Sequence, residues 1–218
     1  MAMIADPATT EPFSDEQPIL TPQRLRLLAI IGGVVAVVAL VAWFMITAGN
    51  RKEAFAAQAV EEARAAAEQG NLPLAVQQFE QVATTYTGTA AAFDATLGMV
   101  QARLVNDQSE LAIATLTEFL GNNPPDTYAA PANGLLGTAY ENTGKFGDAL
   151  AAYRKASGLA TTDYLKATYL LDAGRAARLA GDATQATAIY REIIDTYGET
   201  AATTEARVRL AELNLGVI

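Results

Sequence analysis

From about residue 52 onward, apolar positions recur with the 3.6-residue period of amphipathic helices. One arrangement repeats four times: an alanine, then a large apolar or aromatic residue four positions later, as Ala75/Phe79, Ala112/Leu116, Ala149/Tyr153 and Ala186/Tyr190. Neighbouring copies lie 37 residues apart. Five residues before each alanine stands a turn-former: Gly70, Asp107, Gly144 and Gly181. A constant period of this size predicts stacked supersecondary units, none able to bury its apolar face alone. The expected fold is all-α, a helical solenoid of four helix pairs. Helix spacing puts each alanine and its partner on one face, so Phe79, Leu116, Tyr153 and Tyr190 are expected in the core. Thr204 to Leu215 reads as a first helix without a second, a closing cap of the kind solenoid ends require. Upstream the pattern changes: Leu27 to Ile46 carry no charge and no strongly polar side chain.

The third copy is the fullest, with Leu136-Gly137, Tyr140, Gly144, Ala149, Tyr153 and Ala156. It resembles the tetratricopeptide repeat, whose usual period is 34 residues. The fourth copy keeps Gly174, Gly181, Ala186 and Tyr190; the second keeps Ala112, Leu116 and Pro124; the first keeps Gly70, Ala75 and Phe79. The resemblance covers residues 52–218. The segments Thr84 to Thr89 and Asp195 to Thr200 share a Tyr-x-x-Thr style. This style is similar to that of bacterial envelope tetratricopeptide proteins, among them outer-membrane assembly lipoproteins and the ancillary subunit of the Sec translocon. The resemblance implies a tetratricopeptide-like helical solenoid on a single transmembrane helix.

Twenty uncharged residues make a helix of about 30 Å, the thickness of a bilayer core. Arg24 and Arg26 flank one end of the segment, Arg51 and Lys52 the other, and Trp43 stands near the second boundary. A cleavable signal peptide would have a shorter apolar stretch of about 7–15 residues. The segment therefore predicts a retained anchor in contact with lipid through residues 27–46. Ala29, Gly32, Gly33 and Ala36 lie on one side of this helix, and small residues at such spacing let a second membrane helix approach. Two basic residues on one side against three on the other do not set orientation by the positive-inside rule. The envelope resemblance implies a cytoplasmic tail and an external, periplasmic solenoid at the bacterial inner membrane. The expected organisation is a proline-rich acidic tail (1–23), the anchor and its flanks (24–50), and the solenoid (51–218).

Composition narrows the chemistry. The chain has no cysteine and no histidine. Ser–His and Cys–His catalysis are thus ruled out within the chain, as are zinc sites of the usual ligand types. The 24 acidic residues show no calcium-loop spacing. Gly137 to Lys145 ends in Gly-Lys, but it is two residues too long for a phosphate loop and Phe146 follows where Ser or Thr is needed. No cofactor and no enzymatic activity are expected. A net charge of −9 argues against a nucleic-acid partner.

What remains is binding of other proteins. In the family the chain resembles, the first helix of each repeat lines the concave face. The alignment puts Glu61, Arg64, Gln101, Leu104, Thr138, Glu141, Asp172, Arg175 and Arg178 there. The expected protein-binding residues are Gln101, Leu104, Glu141, Arg175 and Arg178, with the two arginines one turn apart and able to meet a carboxylate on a partner. Two roles follow. One is a membrane-anchored scaffold or adaptor that grips proteins through the solenoid. The other is an accessory subunit of a large membrane complex (secretory, respiratory or photosynthetic), docked through the membrane helix.

Overall fold

The structure, a computed structural model, describes residues 22–215. The tail expected over residues 1–23 lies outside the described residues up to 21. Pro22 and Gln23 already belong to the first helix, whose first turn suits a proline's fixed φ and missing N–H. Every element is a helix: α1 (Pro22–Glu68), α2 (Leu72–Thr85), α3 (Ala90–Val105), α4 (Ser109–Gly121), α5 (Asp126–Asn142), α6 (Phe146–Leu159), α7 (Asp163–Leu179), α8 (Ala183–Thr196) and α9 (Ala201–Asn214). No strand occurs among the described residues. The chain divides into two units after Gly49.

The first unit is the apolar part of α1. It is long and apolar enough to cross a membrane, and its large side chains from Leu25 to Ile46 are exposed on every side. The one threonine there returns its hydroxyl to the helix, Thr47 Oγ1 donating to the Trp43 carbonyl at 2.8 Å. No proline interrupts the sequence between Gln23 and Glu68, so nothing in the backbone breaks the helical hydrogen bonding there.

The second unit is the solenoid. The part of α1 from Asn50 onward pairs with α2, α3 with α4, α5 with α6 and α7 with α8, while α9 closes the stack. The 37-residue period of the third copy is spent as 17 residues in α5, 14 in α6 and three in each connection. All four first helices end in the same way. Gly70, Asp107, Gly144 and Gly181 have positive φ of 77°, 57°, 73° and 82°. The following amide then reaches back to a carbonyl five residues earlier: Asn71 to Ala66, Gln108 to Arg103, Lys145 to Tyr140 and Asp182 to Ala177, at 2.8–3.0 Å. This is the Schellman closure, which satisfies carbonyls the helix end would otherwise leave open. α9 begins at Ala201, three residues before the sequence pattern suggested. Thr200 and Thr203 both donate to the Tyr197 carbonyl there, at 2.8 and 2.7 Å, and shape the turn.

The core is a stack of thin layers. Ala75, Ala112, Ala149 and Ala186 are fully buried, and Phe79, Leu116, Tyr153 and Tyr190 nearly so. Each large side chain meets a small position on the first helix of its own repeat. A Cβ added at Gly137 would stand 2.6 Å from the Tyr153 ring, and one at Gly174 2.4 Å from the Tyr190 ring. One period earlier the small position is Val100, packed in the same cluster as the shorter Leu116. Earlier still it is Ala63, clustered with Phe79. Volume is exchanged between the two helices of each pair, as close packing demands.

Candidate functional site

The first helices form one face of the solenoid, and two features occupy it. The first is a groove in the first two repeats, between the last turns of α1, the start of α2, and α3. Its volume is about 520 Å³. Ala67, Leu72, Phe79, Leu97, Gly98 and Val105 provide apolar lining, with Arg64, Glu68, Asp94 and Gln101 at its polar positions. Val105 is 71% exposed, a large aliphatic side chain left to water beside the groove. Gly98 gives the groove its depth, since a side chain there would meet the Phe79 ring at 2.7 Å. Two of the expected concave-face residues, Arg64 and Gln101, thus border one recess. Arg64 also pairs with Glu61 on its own helix at 2.6 Å.

The second feature is a polar network joining the third and fourth repeats. Arg175 Nε and Nη2 donate to the two oxygens of Glu141 at 3.1 and 2.8 Å, and Nη1 donates to Asp172 at 2.7 Å. The Tyr153 hydroxyl donates to Glu141 Oε2 at 2.8 Å and lies 3.2 Å from the Thr138 hydroxyl. The guanidinium stands 6.0 Å from the Tyr153 ring centroid. Glu141 is the most enclosed of the charged members, its side chain only 12% exposed. The hydrogen bonds that Arg175 donates to the Glu141 carboxylate, above all, hold its pKa up against the opposing effect of burial. Burial pushes the Tyr153 phenol well up, and Glu141 beside it adds to the rise. Burial also raises Asp172, outweighing the opposing pull of Arg175. A bidentate fork of this kind fixes geometry as well as contributing energy.

Thr138, Glu141, Asp172 and Arg175 are therefore brought together, but they face one another. Arg175 was expected to meet a partner's carboxylate and instead binds two of its own chain's. Leu104 is half-buried against the Val100 and Leu116 core and does not line the groove. Arg178 lies apart from the network, on the next turn of α7. The anchor residues Ala29, Gly32, Gly33 and Ala36 are exposed, and nothing stands within 4 Å of a Cβ added at either glycine.

Two features had no part in the sequence reading. Glu53 closes the N-terminus of α3, accepting from the Ala90 and Ala91 amides at 3.1 and 2.9 Å, while Lys52 Nζ donates to the Thr87 carbonyl at 3.1 Å. Phe93, Phe119 and Tyr128 form an aromatic cluster with centroid separations of 5.8 and 4.9 Å. Two of these rings line a recess of about 490 Å³ that reaches Pro124 and Pro125. Only an unusual Pro-Pro after Asn122-Asn123 marked that position in the sequence.

The YfiO family, described as outer membrane lipoprotein, matches residues 52–216. The chain belongs to this family. No curated protein matches it. Among solved structures, it is similar to the nearly identical TPR-like repeats of kinesin light chain type from Podosopora anserina, at 15% identity and a TM-score of 0.60, over 72% of this chain and 83% of that one. It is also similar to MamA 41-end from Desulfovibrio magneticus RS-1, at 21% identity and a TM-score of 0.53, over 65% of this chain and 75% of that one. At such identities these likenesses establish the fold alone: a tetratricopeptide-like helical solenoid.

Proposed function

We propose that this YfiO-family protein is a membrane-anchored scaffold that binds a segment of another protein along the inner face of its first two repeats. The observation that carries the reading is the groove of about 520 Å³ beside the exposed Val105. Its lining combines apolar side chains with a few polar ones, the combination that protein-binding recesses use. The fourth repeat's Arg175 is already neutralised by its own chain, so it is not among the groups left for the groove's partner. Binding, without turnover, is the whole of the proposed activity.

The anchor belongs to the same proposal. The sequence offers no cysteine to carry a lipid, so within these residues the apolar part of α1 is what would hold the protein to a bilayer. We place the protein in the bacterial inner membrane as a single-pass protein, with residues from about 51 onward in the periplasm. A photo-crosslinking amino acid at Gln101, in full-length protein in bacterial membranes, should give a discrete adduct. The same probe at Glu118, exposed on the second-helix side, should not. Equal adducts at both positions, or none at Gln101, would overturn the groove reading. Protease added to spheroplasts should remove the solenoid; its survival until lysis would reverse the orientation.

The second reading, an accessory subunit docked through its helix, is favoured by Ala29, Gly32, Gly33 and Ala36 lying open along α1. Exchanging Leu27 to Ile46 for an unrelated membrane helix separates the two. Loss of co-purifying proteins would support helix docking, and their retention would support the groove.

A further inference from the structure

Advancing the Glu141 network by one 37-residue period gives a second site with its charges inverted. Tyr153 becomes Tyr190 and Gly137 becomes Gly174, so the aromatic layer is the same. But Glu141 becomes Arg178, Arg175 becomes Glu212, and Asp172 becomes Arg209. In the third repeat the tyrosine hydroxyl meets a carboxylate, and the next first helix supplies the guanidinium that closes on it. In the fourth repeat the tyrosine hydroxyl meets a guanidinium, and the next first helix, α9, should supply the carboxylate.

It does not. Glu212 is held within α9 by Arg209 at 3.0 Å, and Glu205 takes the other side of the same arginine at 2.6 Å. Arg178 forms no ion pair among the described residues, and its Nε is buried without a hydrogen-bond partner. In place of the closing group there is a recess of about 110 Å³ lined by Leu171, Arg175, Arg178, Tyr190, Glu205 and Arg209. Burial raises the Tyr190 phenol, while the nearby charges of Arg178, Arg209 and Arg175, and a hydrogen bond from Arg178, pull it back. Tyr190 and Arg178 line the same recess, where the phenol O–H can serve as a donor beside the guanidinium. Arg175 and Arg209 are already paired, so Arg178 is the cation with a vacancy.

We propose that this recess between α7, α8 and α9 binds a single carboxylate, the Asp or Glu side chain of a partner protein. Arg178 is its charged ligand and the Tyr190 hydroxyl its second donor. The recess accommodates a carboxylate and its adjoining methylene and has no room for a nucleotide or a sugar phosphate. The partner's acid would complete on the fourth repeat what Glu141 and Arg175 complete between the third and fourth. The proposal rests on the scaffold reading for its partner, but the site itself is testable without one.

The test uses the full-length, ¹⁵N-labelled protein in detergent micelles at fixed chloride. The Arg178 Nε–H resonance is identified by its absence in Arg178→Lys. N-acetyl-glutamate N-methylamide, which carries only a side-chain carboxylate, should move this resonance saturably. The glutamine analogue should not. Tyr190→Phe keeps the ring and should weaken the glutamate probe about ten- to a hundred-fold, the worth of one hydrogen bond to a charged group. If that variant fails to fold, the comparison of the two probes on the unaltered protein still decides. An unmoved resonance, or equal movement with both probes, overturns the site. Saturation by inorganic phosphate but not by the glutamate probe also overturns it, by making the ligand a free anion. A positive result alongside absent crosslinks at Gln101 would leave the site standing and remove the groove.

Discussion

The first two repeats and the last two share a backbone plan but fill it differently. In the third and fourth repeats the large core residue is a tyrosine, the opposing position is glycine, and one turn further along the first helix stands Glu141 or Arg178 to meet the hydroxyl. In the second repeat the equivalent three residues are Leu116, Val100 and Leu104; in the first they are Phe79, Ala63 and Ala67. A tyrosine ring needs the missing Cβ, and its buried hydroxyl needs a polar partner. A leucine needs neither, and Phe79 needs only the space, which Gly98 on the next first helix leaves it; the position one turn on becomes apolar. The difference teaches that the face of a solenoid is set from beneath. Where the layer ends in a hydroxyl, the face above it is charged, self-paired at Glu141 and left open at Arg178. Where it does not, the face is apolar, and in the first two repeats it opens as a groove.

The comparison can be broken most severely at the glycines. Gly137→Val should destabilise full-length protein by about 3 kcal/mol in urea unfolding followed at 222 nm, because the side chain must displace the Tyr153 ring. The double variant Gly137→Val with Tyr153→Leu copies the second repeat's pair and should recover more than half of the loss. No recovery would show that the two residues are not exchanging volume. Gly144→Val should cost about 1–3 kcal/mol, since a β-branched residue is forced to positive φ. Glu141→Gln should cost about 1–2 kcal/mol, from the weakened fork to Arg175. Leu104→Met, at the equivalent second-repeat position, should cost under about 1.5 kcal/mol. Asp107→Gly should stabilise by about 1 kcal/mol, because this one turn of the four lacks the glycine its conformation favours.

The smallest effect concerns pH. Asp172's folded pKa is raised, chiefly by burial, so the folded state binds its proton more tightly than the unfolded state. Its contribution to stability is therefore complete below the ordinary carboxylate pKa and declines as pH rises through the raised value. Asp172→Asn should leave stability at pH 7 unchanged or raise it by under about 1 kcal/mol, with the advantage vanishing near pH 3.5. A variant less stable than the parent at pH 7 would show that the ion pair with Arg175 outweighs burial.

Much of the architecture was legible in the chain. The four turn-formers mark the four Schellman closures, including Asp107, because a fixed period carries the conformation even where the residue departs from glycine. The Ala-x-x-x-aromatic pairs mark the buried layers because helix spacing alone places them on one face. The face residues were read less well. Alignment placed Leu104 and Arg175 where a partner would touch them, yet Leu104 turns to the core and Arg175 to Glu141.

By itself, the sequence determined the repeating helices, the ends of the four first helices, the layer-forming positions and the single long apolar segment. These follow from periodicity, from backbone conformation at a few residues and from the length of an uncharged run, all of which are local. Only the tertiary structure decided which charged groups meet. Glu141 and Arg175 are 34 residues apart and come within 2.8 Å because the repeats stack. Arg178 and Glu212, at the same separation, do not pair, because α9 offers Glu212 a nearer arginine on its own helix. Which partner a charge finds depends on competition among neighbours in space, and that competition is absent from any one repeat.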